Sequence, residues 1–183
     1  MNDRRRRERF DRDVLPYLDS AYNLARWLTR SDDDAQDVVQ EACLRAFRAL
    51  DNLVATDGKS WLLSIVRNTA HSFLRKNRQL GNAFEAELDA LEWSGPNPEQ
   101  AVMDDLEREL LAGFIEELPV EFREVVVLRE LEDLSYKEIS EITQMPIGTV
   151  MSRLSRARRR LQQRAADRSP EGWPAGEGWR LGM

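Results

Sequence analysis

Residues 134–161 read Leu134-Ser-Tyr-Lys-Glu-Ile-Ser-Glu-Ile-Thr143, then Gln144-Met-Pro-Ile-Gly148, then Thr149-Val-Met-Ser-Arg-Leu-Ser-Arg-Ala-Arg-Arg-Arg-Leu161. Ser135 followed three residues later by Glu138 is a capping box, so a short helix is expected to start there and run to Thr143. Gln144 to Gly148 break it, and Thr149 is the expected N-cap of a second helix. In that helix Val150, Leu154, Ala157 and Leu161 recur at i, i+4, i+7 and i+11, one apolar stripe. Two short helices joined by a tight turn form a helix-turn-helix, whose second helix lies in the major groove of DNA. At about 100° per residue, Ser152, Ser155, Arg156 and Arg159 stand opposite the stripe. Arg153 and Arg160 flank it on one side and Arg158 on the other. Arginine takes guanine bidentately, serine serves either strand, and the flanking arginines suit phosphates. A basic solvated helix is the plainer alternative, but turn, caps and arginine placement agree on DNA.

Upstream of this motif, charge divides the 183-residue chain. The total of −6 speaks against the basic surface of a non-specific nucleic-acid binder. Yet residues 1–79 carry +3, residues 80–117 carry −10 and residues 118–183 carry +1, so the total averages unlike parts. The acidic block holds Gly95-Pro96-Asn97-Pro98, which ends regular structure. The expected organisation is all-α, with two small helical domains at 1–83 and 107–168 and an acidic linker at 84–106. A tail at 169–183 carries Trp173 and Trp179 among too many Gly and Pro residues for a helix.

Enzymatic chemistry has little to stand on. The lone Cys43 excludes an internal disulfide, and with a lone His71 it leaves no zinc-ligand cluster. No motif surrounds either residue to make them a nucleophile and base. The expectation is therefore no catalytic, cofactor-binding or metal-binding residues. No apolar run approaches the ~20 residues of a membrane span and no secretory signal follows Arg4–Arg7, so a reduced, cytoplasmic setting is expected. Arg4–Arg9, at the start of the first domain, reads as a disordered leader, with a phosphate-contacting arm as the alternative.

The first domain reads as helices throughout. Asp32-Asp33-Asp34 offers N-cap candidates, and Val38, Val39, Ala42, Cys43, Ala46, Phe47 and Leu50 form one stripe behind it. Its outer face carries Asp37, Gln40, Glu41, Arg45 and Arg48, on charge pattern alone a solvated face. Asp51–Ser60 reads as a polar loop containing Asp57-Gly58, with a further helix from about Ser60. Leu62, Val66, Thr69 and Phe73 form its core stripe, and Trp61, Ser64, Asn68, His71 and Arg75 its opposite face, followed by Lys76 and Arg78. From Lys59 to Gln79 there are bases and no acid. A basic face interleaved with an aromatic and amides suits melted DNA, since phosphates want cations and unstacked bases want a flat partner.

Three stretches in this order resemble the extracytoplasmic-function (ECF) sigma factors of bacterial RNA polymerase. Asp34-Ala-Gln-Asp-Val-Val-Gln-Glu-Ala-Cys-Leu-Arg-Ala-Phe-Arg48 resembles their region 2 helix. Trp61-Leu-Leu-Ser-Ile-Val-Arg-Asn-Thr-Ala70, continuing through Phe73-Leu-Arg-Lys-Asn-Arg78, is similar to their promoter-melting segment. Leu118-Pro119, Phe122-Arg-Glu-Val-Val-Val-Leu128, Tyr136-Lys-Glu-Ile139 and Gly148–Arg158 resemble region 4.

The resemblance implies a promoter-specificity subunit without catalysis of its own. Asp37, Gln40, Glu41 and Arg45 would dock on the clamp helices of the polymerase β′ subunit. Lys59, Trp61, Asn68, Arg75 and Lys76 would open the −10 element and hold an extruded base. Thr149, Ser152, Arg153, Ser155, Arg156, Arg159 and Arg160 would read and hold the −35 element. Met151 stands where the family often carries a basic residue, which shifts readout toward an apolar contact with a thymine methyl. The acidic linker would thread the RNA-exit region. Implied partners are core polymerase (β′ and β), promoter DNA and an anti-sigma protein, with the chain a monomer when free. The alternative is a stand-alone, LuxR-like helix-turn-helix regulator. A receiver-type sensor would show alternating strands and helices, which residues 10–80 lack.

Overall fold

A computed structural model describes the backbone of residues 3–53, 57–80 and 103–168. Most of the acidic linker, Thr56 and the Trp173/Trp179 tail lie outside the described residues. Among the described residues every regular element is helical and none is a strand. The helices are α1 (Asp3–Asp13), α2 (Leu18–Thr29), α3 (Asp32–Ala49), α4 (Gly58–Leu80), α5 (Met103–Glu116), α6 (Val120–Val126), α7 (Tyr136–Thr143) and α8 (Ile147–Arg168). Helix α5 thus begins within the span read as linker.

Helices α2, α3 and α4 pack mutually into one bundle. Its helices approach closely because small side chains line the contact: Ala21, Ala25, Ala35, Ala42 and Ala46 are all fully buried. Leu24, Leu50, Leu62, Leu63 and Val66 fill the space around them. The α3 stripe expected from sequence faces this core, with Val39, Cys43 and Phe47 half-buried at its margin. Its N-cap is Ser31, whose hydroxyl accepts from the Asp34 backbone N–H at 3.3 Å; the three aspartates occupy the first turn, where they complement the helix dipole.

Arg4–Arg9 is not a loose leader. It lies in α1, and Arg6 donates to the carbonyls of Phe47 (3.0 Å) and Arg48 (2.6 Å), while Arg9 donates to that of Leu53 (2.6 Å). These are carbonyls at and just past the end of α3, which a helix leaves without internal partners. Cations there also suit the negative end of the dipole.

The second bundle, α5–α8, holds the helix-turn-helix. The capping box is present: Ser135 Oγ accepts from Glu138 N–H, and Glu138 Oε2 accepts from Ser135 N–H at 2.7 Å. Gln144 ends α7 in the left-handed region, at φ 56°. Helix α8 starts two residues ahead of the expected cap. The Pro146 carbonyl already accepts from the N–H groups of Thr149 and Val150, so Thr149 sits inside the first turn. Val150, Leu154, Ala157 and Leu161 are buried as their spacing required. Helix α6 runs into a π-helical turn, Val127–Leu131, closed by Glu132 N–H on the Val127 carbonyl at 3.0 Å.

The two bundles do not stand apart. Helix α4 packs on α7, and α2 packs on α6. Helix α4 also begins at Gly58, two residues before the expected Ser60, with the Asp57 carboxylate accepting from Ser60 N–H at 3.0 Å. Gly58 sits against the end of α1, where a Cβ would stand 2.1 Å from the Asp13 carbonyl oxygen and 3.2 Å from the Tyr17 ring. Backbone must move to admit it, so Gly58→Ala is expected to cost about 1–3 kcal/mol of stability, read as a lower midpoint in urea unfolding. An unchanged midpoint would contradict this packing.

Candidate nucleic-acid interface

Helix α8 presents its polar face to solvent. Ser152, Ser155, Arg156, Arg159 and Arg160 are exposed, and Thr149 is half-buried. The Ser152 hydroxyl turns back onto the Thr149 carbonyl at 3.0 Å. Arg160 lies over the Phe122 ring, 4.9 Å from its centroid, which orients the guanidinium while leaving it exposed. Ile147 and Met151, one turn apart at the start of α8, are 44% and 51% exposed. Met151 is legible from the sequence as a candidate contact and Ile147 is not, because Ile147 falls in the breaker Gln144–Gly148 ahead of the expected cap at Thr149.

The face of α4 is not the open basic surface its composition suggested. Asn68, Arg75 and Lys76 are exposed. Trp61 is half-buried against the core, and Ser64 and His71 are also half-buried. Lys59 is taken up by the second bundle: its Nζ lies 3.0 Å from Glu132 Oε2 and donates to the Glu132 carbonyl at 2.9 Å. Arg153 of α8, expected at a DNA phosphate, lies instead 3.4 Å from Glu124 Oε1. The reason is tertiary: α6 and α7 with their connecting turn cover this side of α4, and a helical wheel carries no knowledge of what packs on a polar face.

Glu124 organises that contact. It lies on α6 with its side chain 1% exposed. Arg67 of α4 grips it with a two-pronged fork, Nε to Oε2 at 3.0 Å and Nη2 to Oε1 at 3.2 Å. His71, one turn on, places Nε2 2.8 Å from Oε2. Burial opposes ionisation, but hydrogen bonds from His71 and Arg67 outweigh it and hold the carboxyl below the usual carboxylate range. Nearby, Asn23 of α2 donates to Glu132 at 2.7 Å, and buried Arg123 donates to the Trp27 carbonyl at the end of α2 at 2.9 Å. Sequence reading assigned none of Arg67, Arg123, Glu124 and Glu132 to a site. The available signal was Arg123-Glu124 standing inside the apolar run Phe122–Leu128, where charges are retained only if something answers them.

The outer face of α3 is open. Asp37, Gln40 and Arg45 are exposed, and Glu41 pairs with Arg45 at 2.7 Å. Leu44 stands among them, 49% exposed. Cys43 and His71 form no nucleophilic pair: Glu124 engages His71, and burial pushes the Cys43 thiol up, away from the thiolate a nucleophile needs. Among the described residues no group of acidic, His and Cys side chains forms a metal site, and no helix is long and apolar enough to cross a membrane.

Comparison with known proteins places these elements. Residues 14–79 match Sigma-70 region 2, and residues 108–161 match Sigma-70, region 4. The ECF RNA polymerase sigma-E factor of Escherichia coli is 37% identical over 140 residues, covering 72% of this chain and 73% of its own length. The RNA polymerase sigma-H factor of Pseudomonas aeruginosa is 35% identical over 164 residues, 84% of each chain. The chain belongs to the ECF sigma factors of the sigma-70 family.

ECF RNA polymerase sigma factor SigE of Mycolicibacterium smegmatis is 34% identical over 163 residues, which cover 88% of this chain; the match spans 63% of that relative's length. In solved structures, the sigma factor RpoE of Bartonella quintana, in complex with the anti-sigma factor NepR, matches with a TM-score of 0.71 and 28% identity. That match covers 87% of this chain and 98% of RpoE, so one superposition takes in both halves. CnrH, in complex with the cytosolic domain of CnrY, shares the fold at a TM-score of 0.61 and 23% identity, over 92% of each chain. Region 2 thus comprises α2–α4, and region 4 carries the helix-turn-helix of α7 and α8.

The depressed Glu124 carboxyl has a pH signature. Its contribution is full above the ordinary glutamate pKa of about 4.3 and is lost as pH falls through the lower value of the folded chain. The urea midpoint of the native chain is therefore expected to exceed that of Glu124→Gln above that ordinary value, and the two to converge in stronger acid. Hydrogen bonds to a charged group suggest a gap of about 1–3 kcal/mol. A gap independent of pH would show that Glu124 is not ionised in the fold.

Proposed function

We propose that this chain is a promoter-specificity subunit that binds core RNA polymerase and directs transcription from a bipartite promoter, with no catalysis of its own. The observation that carries the reading is the pairing, in one chain, of a region 2 bundle with a helix-turn-helix whose exposed face is serine and arginine. In this reading Ser152, Ser155 and Arg156 read base edges of the −35 element, while Arg159, Arg160 and the first turn at Thr149 hold phosphates. Arg153 joins them once released from Glu124. Asn68, Arg75 and Lys76, with Trp61 and Lys59, act on the melted −10 strand, where stacking and cations offset the cost of extruding a base. The open α3 face with Asp37, Gln40, Glu41, Leu44 and Arg45 meets the β′ clamp helices, and region 4 meets β. The acidic linker passes through the RNA-exit region.

The relatives' names support the polymerase partnership, and the complex of RpoE with the anti-sigma factor NepR supports an anti-sigma protein as a further partner. In this reading the chain acts in the cytoplasm and is a monomer until it meets the polymerase. A stand-alone regulator finds no support, because such a protein has no use for the region 2 bundle matched over residues 14–79.

Transcription with purified core and a promoter library tests the proposal: a promoter-specific transcript is expected only when core and chain are combined. Tight binding of the chain alone to a palindromic duplex, with no core-dependent transcript, would sink it. Arg156→Ala is expected to lower use of a −35-dependent promoter about tenfold, one bidentate base contact being worth about 1–3 kcal/mol. Met151→Ala is expected to leave overall promoter strength within about threefold and to erase any preference for thymine over deoxyuridine at the −35 element, since only the methyl differs. A preference that survives the truncation would place the methyl contact elsewhere.

A further inference from the structure

Six of the eleven residues of α1 are arginine, yet the region 2 match begins only at residue 14, so the proposed function leaves this helix without a role. A basic segment at a chain start stays loose unless something ties it down. The inner face of α1 supplies the ties. Arg6 and Arg9 donate to the Phe47, Arg48 and Leu53 carbonyls, the Phe10 ring meets the Phe47 ring edge-on at 5.5 Å, and Arg6 lies over that same ring. The outward arginines are therefore displayed from a fixed helix, and a ligand that takes them bears little cost of ordering the segment.

Position around the helix decides which arginines act together. At about 100° per residue, Arg5, Arg9 and Arg12 fall within about 60° of one another and form one stripe. Arg9, in the middle, holds the Leu53 carbonyl, and the Asp13 carbonyl at the end of α1 lies against Gly58, where α4 begins. The stripe thus adjoins the first turn of the helix that carries Trp61, Asn68 and Arg75. Arg5 and Arg12 are exposed and stand about 10 Å apart along the axis, a span that reaches phosphates of more than one nucleotide. Among the described residues no carboxylate pairs with Arg5. Arg12 pairs with its neighbour Asp13 at 2.7 Å, with the guanidinium 72% exposed; such a contact is worth little and yields readily to a phosphate. Asp13 also lies 3.4 Å from Arg9, so three arginines share one carboxylate and the stripe stays positive.

We propose that Arg5 and Arg12 are phosphate contacts for the melted promoter strand, so that α1 extends the −10 surface of α4. Arg9 is the positioning residue between them, fixing the stripe to Leu53. The inference rests on the reading of α4 as the helix that holds the opened −10 element. Guanidinium suits the role, because its planar fork matches two phosphate oxygens. Phosphate contacts carry no sequence information, so α1 adds affinity for the opened strand without adding selectivity among promoters.

The test uses the full-length chain bound to core polymerase. Its probe is a fork-junction DNA taken from a promoter that the native holoenzyme selects, duplex upstream and single-stranded from the −10 element onward. Affinity is measured from about 50 to about 200 mM salt for the native chain and for Arg5→Gln/Arg12→Gln with an unchanged helical circular-dichroism spectrum. Each phosphate contact on a single strand adds about 0.7 to the slope of log affinity against log salt, so two lost contacts are expected to flatten it by about 1.4. The native chain's advantage then shrinks about sevenfold across that range of salt. Arg5→Lys/Arg12→Lys keeps the charges and is expected to keep the native slope. Binding to a duplex that ends upstream of the −10 element, and binding to core alone, are expected to stay unchanged. An unchanged slope in Arg5→Gln/Arg12→Gln would overturn the proposal, as would an equal loss on the upstream duplex. A weaker grip on core would make the pair a polymerase contact and overturn it too. A native holoenzyme that selects no promoter removes the proposed function and this inference together, whereas one that selects promoters but is matched by the glutamine variant removes the inference alone.

Discussion

A single carboxylate, that of Glu124, ties three helices and both bundles together. Arg67, His71 and Arg153 answer its burial from two directions, and hydrogen bonds from His71 and Arg67 favour its ionisation against that burial. The consequences spread outward from that point. The covered side of α4 exists because α6 and α7 lie on it, Arg153 turns inward from the reading helix, and Lys59 finds Glu132 beside the same contact. Of the side chains proposed to meet promoter DNA, Asn68, Arg75 and Arg156 are open to solvent, while Lys59 and Arg153 are paired with carboxylates.

One bundle is lined by alanines that allow close helix approach, the other by Leu128, Ile139, Ile142 and Leu154, and the buried side chains of the two belong to one apolar cluster. Much of what crosses between them is polar: Asn23 to Glu132, Arg123 to the Trp27 carbonyl, Arg26 to Glu116 and the Glu124 cluster. Such interfaces behave like those of transient complexes and are sensitive to ions and to competing charges. The N-terminal arginines play the opposite part. Arg6 and Arg9 are committed to backbone carbonyls at and just past the end of α3 and brace region 2 internally.

Charge patterning has a clearer meaning against this background. The net charge of −6 would by itself turn a chain away from DNA, yet the acidic excess lies almost wholly in residues 80–117. Two further acids outside that block, Glu124 and Glu132, act over 3 Å rather than over a Debye length. The linker's charge therefore acts at long range, whereas these two carboxylates act only on the side chains they touch.

Sequence by itself determined the all-α class, the helix-turn-helix and the identity of its exposed serines and arginines. Those follow from local rules: a capping box between Ser135 and Glu138, and apolar repeats at Val150, Leu154, Ala157 and Leu161 that admit one buried face. Helix starts were legible only to within two residues at Gly58 and Ile147, because caps there use Asp57 and a proline carbonyl that competes with nearby candidates. What only the tertiary structure decided is which polar residues meet each other. Glu124 lies 57 residues from Arg67 and 29 from Arg153, and no periodicity along the chain encodes such a meeting. The pairing of bundles through that carboxylate, and the fate of Lys59, His71 and Arg153, follow from where two helical surfaces come into contact, a property of the packed chain rather than of any segment.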